Sequence, residues 1–455
     1  MSLLLLVFLP LAMAGPVYFL RRYWTAAVAL SMVTILALAV LCIQYAEAEP
    51  AYLLGRQLAL SDLHRFMLGF FSCLAGFMVL YAWREPQGSA FLPSLLAILG
   101  LVNGALMIET FLIAVLLLEM AGLTFVFMMH GQRPAPPETG LGYLIPLVVA
   151  TPCLLLGAWF VDSYVLEPGD VLLIRFTVIA VSVGFGILLA AAPFHFWLPA
   201  VAGDTPPMAV AVLICILSQT HLALLVGLLT DNPWLVTGSP ILSVISVSGL
   251  LTALVGGALA LGQRDPGRLL GYAAVSDMGF VLIALGAGSA LGNTAALAHL
   301  VNRSLVVLLI TMSLGSIRGR RRAGEQEGPD HRLSWSTGWA GQVGYVVGGL
   351  AIGGFPLLSG FATRWLVYRS AAGQGSAFLA LLVLSGLGVI LGYLRSFGSA
   401  IGPSREGDEG GQPWVSAVLI LSLAALCLLL GLFPGLLVTP LQGLMEVLLP
   451  LSPAV

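Results

Sequence analysis

The stretch FGILLAAAPFHFWLPAVAGDTPP, residues 185–207, ends one long apolar segment and begins another. Between the two segments lie a proline, His195, a tryptophan and a polar turn with two further prolines. A helix that only crosses a bilayer needs neither a proline break nor a titratable side chain at its end. The stretch therefore indicates interrupted helical geometry next to a titratable group inside a membrane protein.

The composition around this stretch is that of a membrane protein. The chain has 455 residues, of which 59% are hydrophobic and 9% are charged, whereas a soluble domain has about 25% charged residues. Apolar runs of about 20 residues, enough to cross a bilayer as a helix, recur from end to end. Because the backbone must satisfy its own hydrogen bonds in lipid, we predict an all-α polytopic membrane protein. The net charge of −2 gives no indication of a nucleic-acid partner.

The apolar runs predict fourteen spanning segments. They lie at about 3–20, 25–43, 65–83, 89–108, 110–129, 141–160, 171–195, 207–229, 239–262, 269–288, 294–316, 337–373, 376–397 and 413–433. The twelfth contains GGFPLLSG (353–360) and is predicted to form two half-helices around a break. The stretch 435–450 is predicted to be an interfacial segment or an extension of the last helix.

The arginines predict the orientation of these segments. Alternating spans place the arginine-rich loops, including RGRRRAGEQEGPDHR (318–332), on one face, which the positive-inside rule assigns to the cytoplasm. Both termini then lie outside. The expected location is the cytoplasmic membrane of a bacterium or archaeon.

Several classes of site are not indicated by the sequence. There is no P-loop, no GxGxxG after a strand and no Cys/His metal cluster, so we predict no cofactor and no metal in this chain. All 19 basic residues are arginine. Arginine is effectively always protonated, whereas a buried lysine exchanges its proton, so this bias limits the possible mechanisms.

Charged residues within the spans are the first functional candidates, because each costs about 2.5 kcal/mol or more to place in the membrane. Glu119 lies mid-span with no basic residue within a helical turn. Asp277 and Arg303 lie on neighbouring spans and are a candidate ion pair. Arg364 follows the second break, where it would be a fixed positive charge. Their structural alternatives are a buried hydrogen-bonding carboxylate for Glu119 and a snorkelling side chain for Arg364.

Histidines are the second group of candidates, because histidine titrates near neutral pH and suits a proton relay. His299 lies four residues before Arg303 and therefore on the same helical face. His195 lies within the opening stretch and His221 on the segment after it. Each is equally consistent with a histidine that only makes structural hydrogen bonds.

Four segments, in order, resemble one family. PFHFWLP (193–199) with GDTPP (203–207), LLLEMAGL (116–123), DPGRLLGYAAVSDMGFVLIALG (265–286) and GGFPLLSGFATRWLV (353–367) are similar to segments of the proton-conducting antiporter-like subunits. These are the large membrane subunits of respiratory complex I, of membrane-bound hydrogenases and of Mrp-type sodium/proton antiporters. The resemblance covers roughly residues 65–400.

The resemblance implies an architecture and a proton path. We expect N-terminal helices at 1–64, a core of two inverted five-helix repeats at 65–400, each with a broken helix, and a C-terminal segment at 401–455. In the family, a glutamate–lysine pair and a row of central lysines and histidines form a hydrated path. Glu119 matches the glutamate and His299 matches a histidine of this row.

The family's exchangeable cations are missing here. The resemblance places Leu188, Gln219 (or Ser218, with a slip of one residue) and Val307 at lysine positions of the family. Gln219 remains a candidate for the proton path. Asp277 and Arg303 stand at histidine positions, and Arg364 replaces the lysine or glutamate after the second break. Leucine and valine have no proton to exchange, so the resemblance implies an altered or closed path. 

Three functions remain open from the sequence. The first is a conducting subunit of a complex I-like assembly, with Glu119, Asp277, His299 and His221 carrying protons through bound water. The second is a non-conducting scaffold subunit. The third is a subunit of an inorganic-carbon uptake or Mrp-type complex that moves protons or sodium. Each implies other membrane and peripheral subunits as partners.

Overall fold

The computed structural model describes residues 2–44, 51–53, 55–129, 135–319, 339–400 and 413–448. Within these ranges the chain is helical except for one short hairpin and the connecting turns. The helices are α1 (Ser2–Phe19), α2 (Trp24–Gln44), α3 (Asp62–Arg84), α4 (Phe91–Met107), α5 (Phe111–Met129), α6 (Pro137–Leu166), α7 (Val171–Leu188), α8 (Trp197–Asp204), α9 (Pro207–Val212), α10 (Ser218–Asp231), α11 (Pro233–Gly238), α12 (Ile241–Gly262), α13 (Pro266–Gly286), α14 (Ala290–Gly319), α15 (Trp339–Gly353), α16 (Ser359–Ser370), α17 (Ser376–Ala400), α18 (Trp414–Leu432) and α19 (Gly435–Leu448).

The prediction of an all-α polytopic membrane protein is confirmed. Among the described residues, twelve helical segments are long and apolar enough to cross a membrane, with α9 and α10 counted as one. The apolar helix α4 is shorter, and the interrupted pair α15 and α16 fills the twelfth predicted segment. The number of crossings, the orientation and the inverted repeats remain predictions.

The first break separates α7 from α9. Helix α7 ends at Leu188, not at the predicted residue 195, because the chain turns at Ala190 (φ 52°). Trp197 Nε1 donates to Ile187 O (3.0 Å) and fixes the following segment against the end of α7. The histidine of the opening stretch therefore lies in a short 3₁₀ turn, Phe194–Phe196, instead of a membrane helix.

The second break separates α15 from α16, as the sequence predicted. Helix α15 ends at Gly353, and two residues in the left-handed region, Gly354 (φ 80°) and Leu357 (φ 72°), turn the chain before α16 begins at Ser359. A helix that ends inside the protein leaves carbonyl groups without partners from its own ladder. The break therefore presents backbone acceptors within the helical bundle.

One element was not predicted. Residues Ala51–Leu53 and Arg56–Leu58 form a two-stranded antiparallel hairpin. No element was predicted for this region, which lies between two predicted spanning segments. Its second strand pairs with the turn between α4 and α5, where Ala59 N donates to Met107 O (2.8 Å) and Glu109 N donates to Gln57 O (3.2 Å). The hairpin thus fixes the turn that leads into α5.

Helices α13 and α14 occupy the centre of the bundle. Both are buried almost throughout, as is the segment from Pro207 to Asp231, whereas α1, α2 and α17 expose large parts of their apolar surface. Helix α13 packs against α12 through glycines. A Cβ at Gly279 would lie 2.4 Å from Ala253 N, and one at Gly256 would lie 2.4 Å from Ser276 N. Such small residues allow membrane helices to approach closely, so the polar groups of α13 lie in a tightly packed interior.

This packing predicts the effect of one added methyl group. Gly279→Ala should destabilise the protein by about 1–3 kcal/mol, because backbone atoms of α12 occupy the space. Gly262→Ala, at the end of α12 with no atom within 4 Å of its Cβ position, is the matched control. Thermal unfolding in detergent measures both. Equal midpoints for the two variants would contradict the close approach of α12 and α13.

Candidate functional site

The candidate site is centred on the carboxylate of Asp277, which lies in the middle of α13 and is 2% exposed. Asp277 Oδ1 lies 3.0 Å from His299 Nε2 and accepts a hydrogen bond from Arg364 Nη2 at 3.4 Å. Asp277 Oδ2 lies 3.6 Å from Arg303 Nε. Three helices, α13, α14 and α16, thus bring one buried carboxylate together with one histidine and two arginines.

Arg303 is held by backbone carbonyls as well as by Asp277. Its Nη2 donates to Ala274 O (3.2 Å) and its Nη1 donates to Ile214 O (3.5 Å). Ile214 belongs to a π-helical turn, Leu213–Leu217, between α9 and α10. A π-helical turn shifts the i→i−4 pattern of hydrogen bonds and is common at functional sites. Here it accompanies a carbonyl that faces a buried cation.

Arg364 is held by the end of the broken helix. Its Nη1 donates to Gly353 O (2.9 Å) and its Nη2 donates to Ile352 O (2.7 Å), both in the last turn of α15. The C-terminus of a helix carries partial negative charge and therefore stabilises a cation. The guanidinium also lies 3.9 Å from the centre of the Phe280 ring, a favourable cation–π distance.

Two glycines provide the space for the Arg364 side chain. A Cβ at Gly354 would lie 2.6 Å from Arg364 Cδ, and a Cβ at Gly386 would lie 2.5 Å from Arg364 Nη1. Gly354 also has a positive φ of 80°, which favours glycine over any other residue. Arg364 is 1% exposed, so the snorkelling alternative does not describe it.

The second nitrogen of His299 contacts Thr363. His299 Nδ1 lies 2.9 Å from Thr363 Oγ1, and that hydroxyl also lies within hydrogen-bonding distance of Gly360 O (3.3 Å) and Ser359 O (3.4 Å). A hydroxyl has one proton to donate and can accept at the same time. Thr363 therefore either donates to a neutral His299 or donates to a carbonyl and accepts from a protonated Nδ1.

The site has an excess of positive charge. Arg303 and Arg364 contribute two permanent charges and Asp277 contributes one negative charge, so the cluster carries +1 when His299 is neutral. Asp277 Oδ2 and the Nε atoms of both arginines make no hydrogen bond among the described residues. Such a cluster persists in a membrane interior only because charges and carbonyls compensate each other.

A second polar contact lies next to Arg303 along α14. Gln219 donates from Nε2 to Leu300 O (3.3 Å) and to Ser304 Oγ. Ser304 in turn donates to Leu300 O (3.0 Å). The Gln219 amide is thus bonded to the helix that carries His299 and Arg303.

Among the described residues, the other predicted site residues make no hydrogen bond or ion pair with this cluster. His221 is 5% exposed, has no partner for Nδ1 among the described residues, and lines a cavity together with Leu188. His195 Nδ1 is also buried without a partner in the described part of the chain. Val307 is fully buried in the apolar interior.

Glu119 is separate from the cluster. It lies on α5 with intermediate exposure, and it makes no hydrogen bond or ion pair within the part of the chain that the structure describes. The expected row of Glu119 with the histidines is thus not a contiguous network of side-chain contacts. 

Thr363, Ser304 and Phe280 contribute to the site but were not expected from the sequence. A threonine, a serine or a phenylalanine in an apolar segment is common, and no spacing distinguishes one that faces a charge. Thr363 directly precedes Arg364, and this adjacency to a predicted site residue is the one signal that would have pointed to it.

The ion pairs predict a difference in stability between the two intramembrane carboxylates. Asp277→Leu should destabilise the protein by about 3–5 kcal/mol, because it leaves two buried guanidinium groups without their carboxylate. Glu119→Leu should have a much smaller effect, since Glu119 makes no hydrogen bond or ion pair with the described residues. Thermal unfolding of the purified protein compares the two variants, and a larger loss for Glu119→Leu would contradict the assignment of the pairs.

Comparison with known proteins identifies the family. The family described as NADH:quinone oxidoreductase/Mrp antiporter, transmembrane, matches residues 61–389. Formate hydrogenlyase subunit 3 of Escherichia coli is 27% identical over 384 residues, which are 75% of this chain and 60% of that relative. NADH-quinone oxidoreductase subunit N of Geobacter metallireducens is 29% identical over 401 residues, which are 82% of this chain and 83% of that relative. The chain thus aligns with less than two thirds of the hydrogenlyase subunit.

Solved structures share the fold over nearly the whole chain. A chain of the Mrp complex from a Dietzia species superposes with a TM-score of 0.81 at 19% identity, covering 98% of this chain and 97% of that one. A chain of respiratory complex I from Thermus thermophilus with bound NADH gives a TM-score of 0.77 at 21% identity, covering 99% and 100%. Because the family match extends over more than half of the sequence, the chain belongs to the NADH:quinone oxidoreductase/Mrp antiporter family of membrane proteins.

Proposed function

We propose that this chain is an antiporter-like membrane subunit of a complex I-like, proton-translocating assembly. We further propose that it moves protons along a path without lysine, through His299 and Asp277. Relatives named as subunits of formate hydrogenlyase and NADH-quinone oxidoreductase support the first part. The second part rests on the contacts of His299.

The observation that carries the proposal is a titratable pair at a break in a membrane helix. His299 and Asp277 are 3.0 Å apart, both are nearly or fully buried, and both contact residues of α16 directly after the break. Buried ionisable groups inside a membrane are costly, and they mark ion and proton pathways in many transporters. A purely structural helix contact would be satisfied by apolar side chains at a lower cost.

The hydrogen bonds of His299 define two states. In the first, Nε2–H donates to Asp277 and Nδ1 accepts from the Thr363 hydroxyl. In the second, a proton occupies Nδ1, and the Thr363 hydroxyl turns to Gly360 O or Ser359 O, which lie 3.3 and 3.4 Å away. Rotation of one hydroxyl thus makes room for a proton that reaches Nδ1 from water. The Nε2 proton then passes to Asp277 Oδ1, 3.0 Å away, which leaves His299 with one proton and requires no movement of a helix.

The arginines act as fixed charges in this scheme. Neither Arg303 nor Arg364 exchanges a proton. Arg364 Nη2 lies 3.4 Å and Arg303 Nε lies 3.6 Å from the carboxylate of Asp277, so two fixed charges flank the His299–Asp277 pair. In this proposal, permanent charges surround a titratable pair where the family has exchangeable lysines.

His221 is the next titratable group toward the first break. Ser218 and Tyr143 line the same cavity, and the unpartnered Nδ1 of His221 offers a site for a bound water. A buried water requires two to four polar partners, which these side chains supply. Gln219 and Ser304 lie between this region and Arg303 along α10 and α14, and His195 and Glu119 are more distant candidates for entry or exit.

A scaffold without conduction is the second candidate function. The observation that favours it is the apolar character of Leu188 and Val307, which stand where the family has lysines. In this case, the Asp277 cluster would only hold α13, α14 and α16 together. Proton flux through the purified complex distinguishes the two functions.

We expect His299→Gln to lower proton flux into proteoliposomes by about 10²-fold, a typical loss when a proton-transferring side chain is removed. His64→Gln, near the beginning of α3 and outside the cluster, is the matched control and should retain wild-type flux. Assembly is checked by size-exclusion chromatography. Flux of wild type that does not exceed that of empty liposomes, with intact assembly, would support the scaffold instead.

Thr363 tests the proposed step itself. Thr363→Val keeps the shape of the side chain but removes the hydroxyl, so flux should fall by about 10-fold or more, because His299 loses its partner for Nδ1. Thr363→Ser retains the hydroxyl and should conduct like the wild type. If valine and serine at this position give the same flux, the hydroxyl has no part in the transfer.

A further inference from the structure

A second cavity shares Gln219 with the polar contact beside Arg303. It is bordered by α3, α10, α13 and α14. Phe66 and Phe70 of α3 form one wall, Leu222 of α10 forms a second, and Leu297 of α14 forms a third. Neither the proposed proton transfer nor the family match assigns a role to it.

The walls of this cavity are almost entirely apolar. Twelve of its fourteen lining residues are hydrophobic, and only Gln219 and Asn293 are polar. Apolar cavities of this kind remain dry and bind apolar molecules. A filled proton channel would need more polar groups along its length, so the walls favour a hydrocarbon occupant over a column of water.

The cavity extends over most of the depth of one leaflet. Asn293 lies in the first turn of α14, and the lining on this helix runs from Asn293 to Val301. At 1.5 Å per residue, these eight steps span about 12 Å. Half of a bilayer's hydrocarbon core measures about 15 Å. The cavity therefore accommodates much of one acyl chain, from the start of α14 toward mid-membrane.

Asn293 supplies an independent observation. It is 2% exposed, and both its Oδ1 and its Nδ2 are buried without a hydrogen-bond partner. A buried amide without partners is costly, because it has lost its hydrogen bonds to water and gained none in the protein. Because Asn293 lines the end of the cavity near the start of α14, a ligand with one polar group at that end and a long apolar tail would satisfy the amide and fill the cavity.

The last described helix borders the same region. Leu437 and Leu441 of α19 pack together with Leu297 and Val301 of α14 and with Phe70 of α3. These three belong to the walls of the cavity. Helix α19 thus forms a flank of the cavity, so an occupant would contact the C-terminal segment as well as the core of the bundle.

We propose that this cavity binds one acyl chain of a membrane phospholipid, with the glycerol ester of that lipid at Asn293. The ester carbonyl accepts from Asn293 Nδ2, and the chain lies between Phe66, Phe70 and Leu297 down to Gln219. The lipid joins α3, α14 and α19 and is an integral part of the subunit. This inference does not depend on proton conduction.

The test uses the intact complex in liposomes that contain phosphatidylglycerol with a photoactivatable diazirine on one acyl chain. We expect cross-links to peptides of α3 and α14 that line the cavity, and competition by unlabelled phosphatidylglycerol. Ala223→Phe fills the cavity from α10 and should abolish these cross-links. Leu224→Phe, at the next position but outside the lining, is the matched control and should leave them unchanged.

A second pair of measurements keeps the test decisive if Ala223→Phe fails to assemble. Ala296→Phe fills the same cavity from α14, and Asn293→Leu removes the polar contact while keeping the size of the side chain; both should reduce the cross-links. Cross-links that persist in every assembled filling variant would overturn the proposal. So would hydroxyl-radical labelling of Phe66 and Leu297 in the intact complex, because it would show that water fills the cavity.

Discussion

The burial of two guanidinium groups beside one carboxylate is the constraint on which the rest of the structure depends. Arg303 and Arg364 are each 1% exposed, and neither can become neutral. Their charges exceed that of Asp277, so backbone carbonyls must supply the remaining compensation. A regular membrane helix uses its carbonyls for its own ladder. The chain meets this demand by interrupting its helices where the arginines lie.

Two of the interruptions each face a cation. The end of α15 directs the carbonyls of Ile352 and Gly353 at Arg364, and the π-helical turn beside α10 places Ile214 O at Arg303. Glycines complete the arrangement, because Gly354 and Gly386 leave the volume that the Arg364 side chain occupies. The helix breaks, the small residues and the fixed charges therefore depend on one another, and they surround the buried pair of His299 and Asp277.

The sequence predicted those features of the structure that produce long or strongly patterned signals. Hydropathy predicted the membrane class, glycine and proline predicted the second break, and a four-residue spacing placed His299 beside Arg303. It did not predict the early end of α7, because an apolar helix and an apolar turn have the same hydropathy. The π-helical turn has no sequence signature, and the role of Thr363 depends on a contact between α14 and α16, 64 residues apart. The separation of Glu119 from the Asp277 cluster likewise depends on how the helices pack. No local sequence pattern indicates that packing.

The most direct test of the account is the protonation state of His299 in the assembled complex. Nitrogen-15 spectra of histidine-labelled protein, with the His299→Gln spectrum subtracted, report on Nδ1 and Nε2 of this residue alone. The account predicts that both the neutral and the doubly protonated form of His299 are populated within the pH range in which the complex is active. A His299 that keeps a single protonation state over that whole range would contradict it.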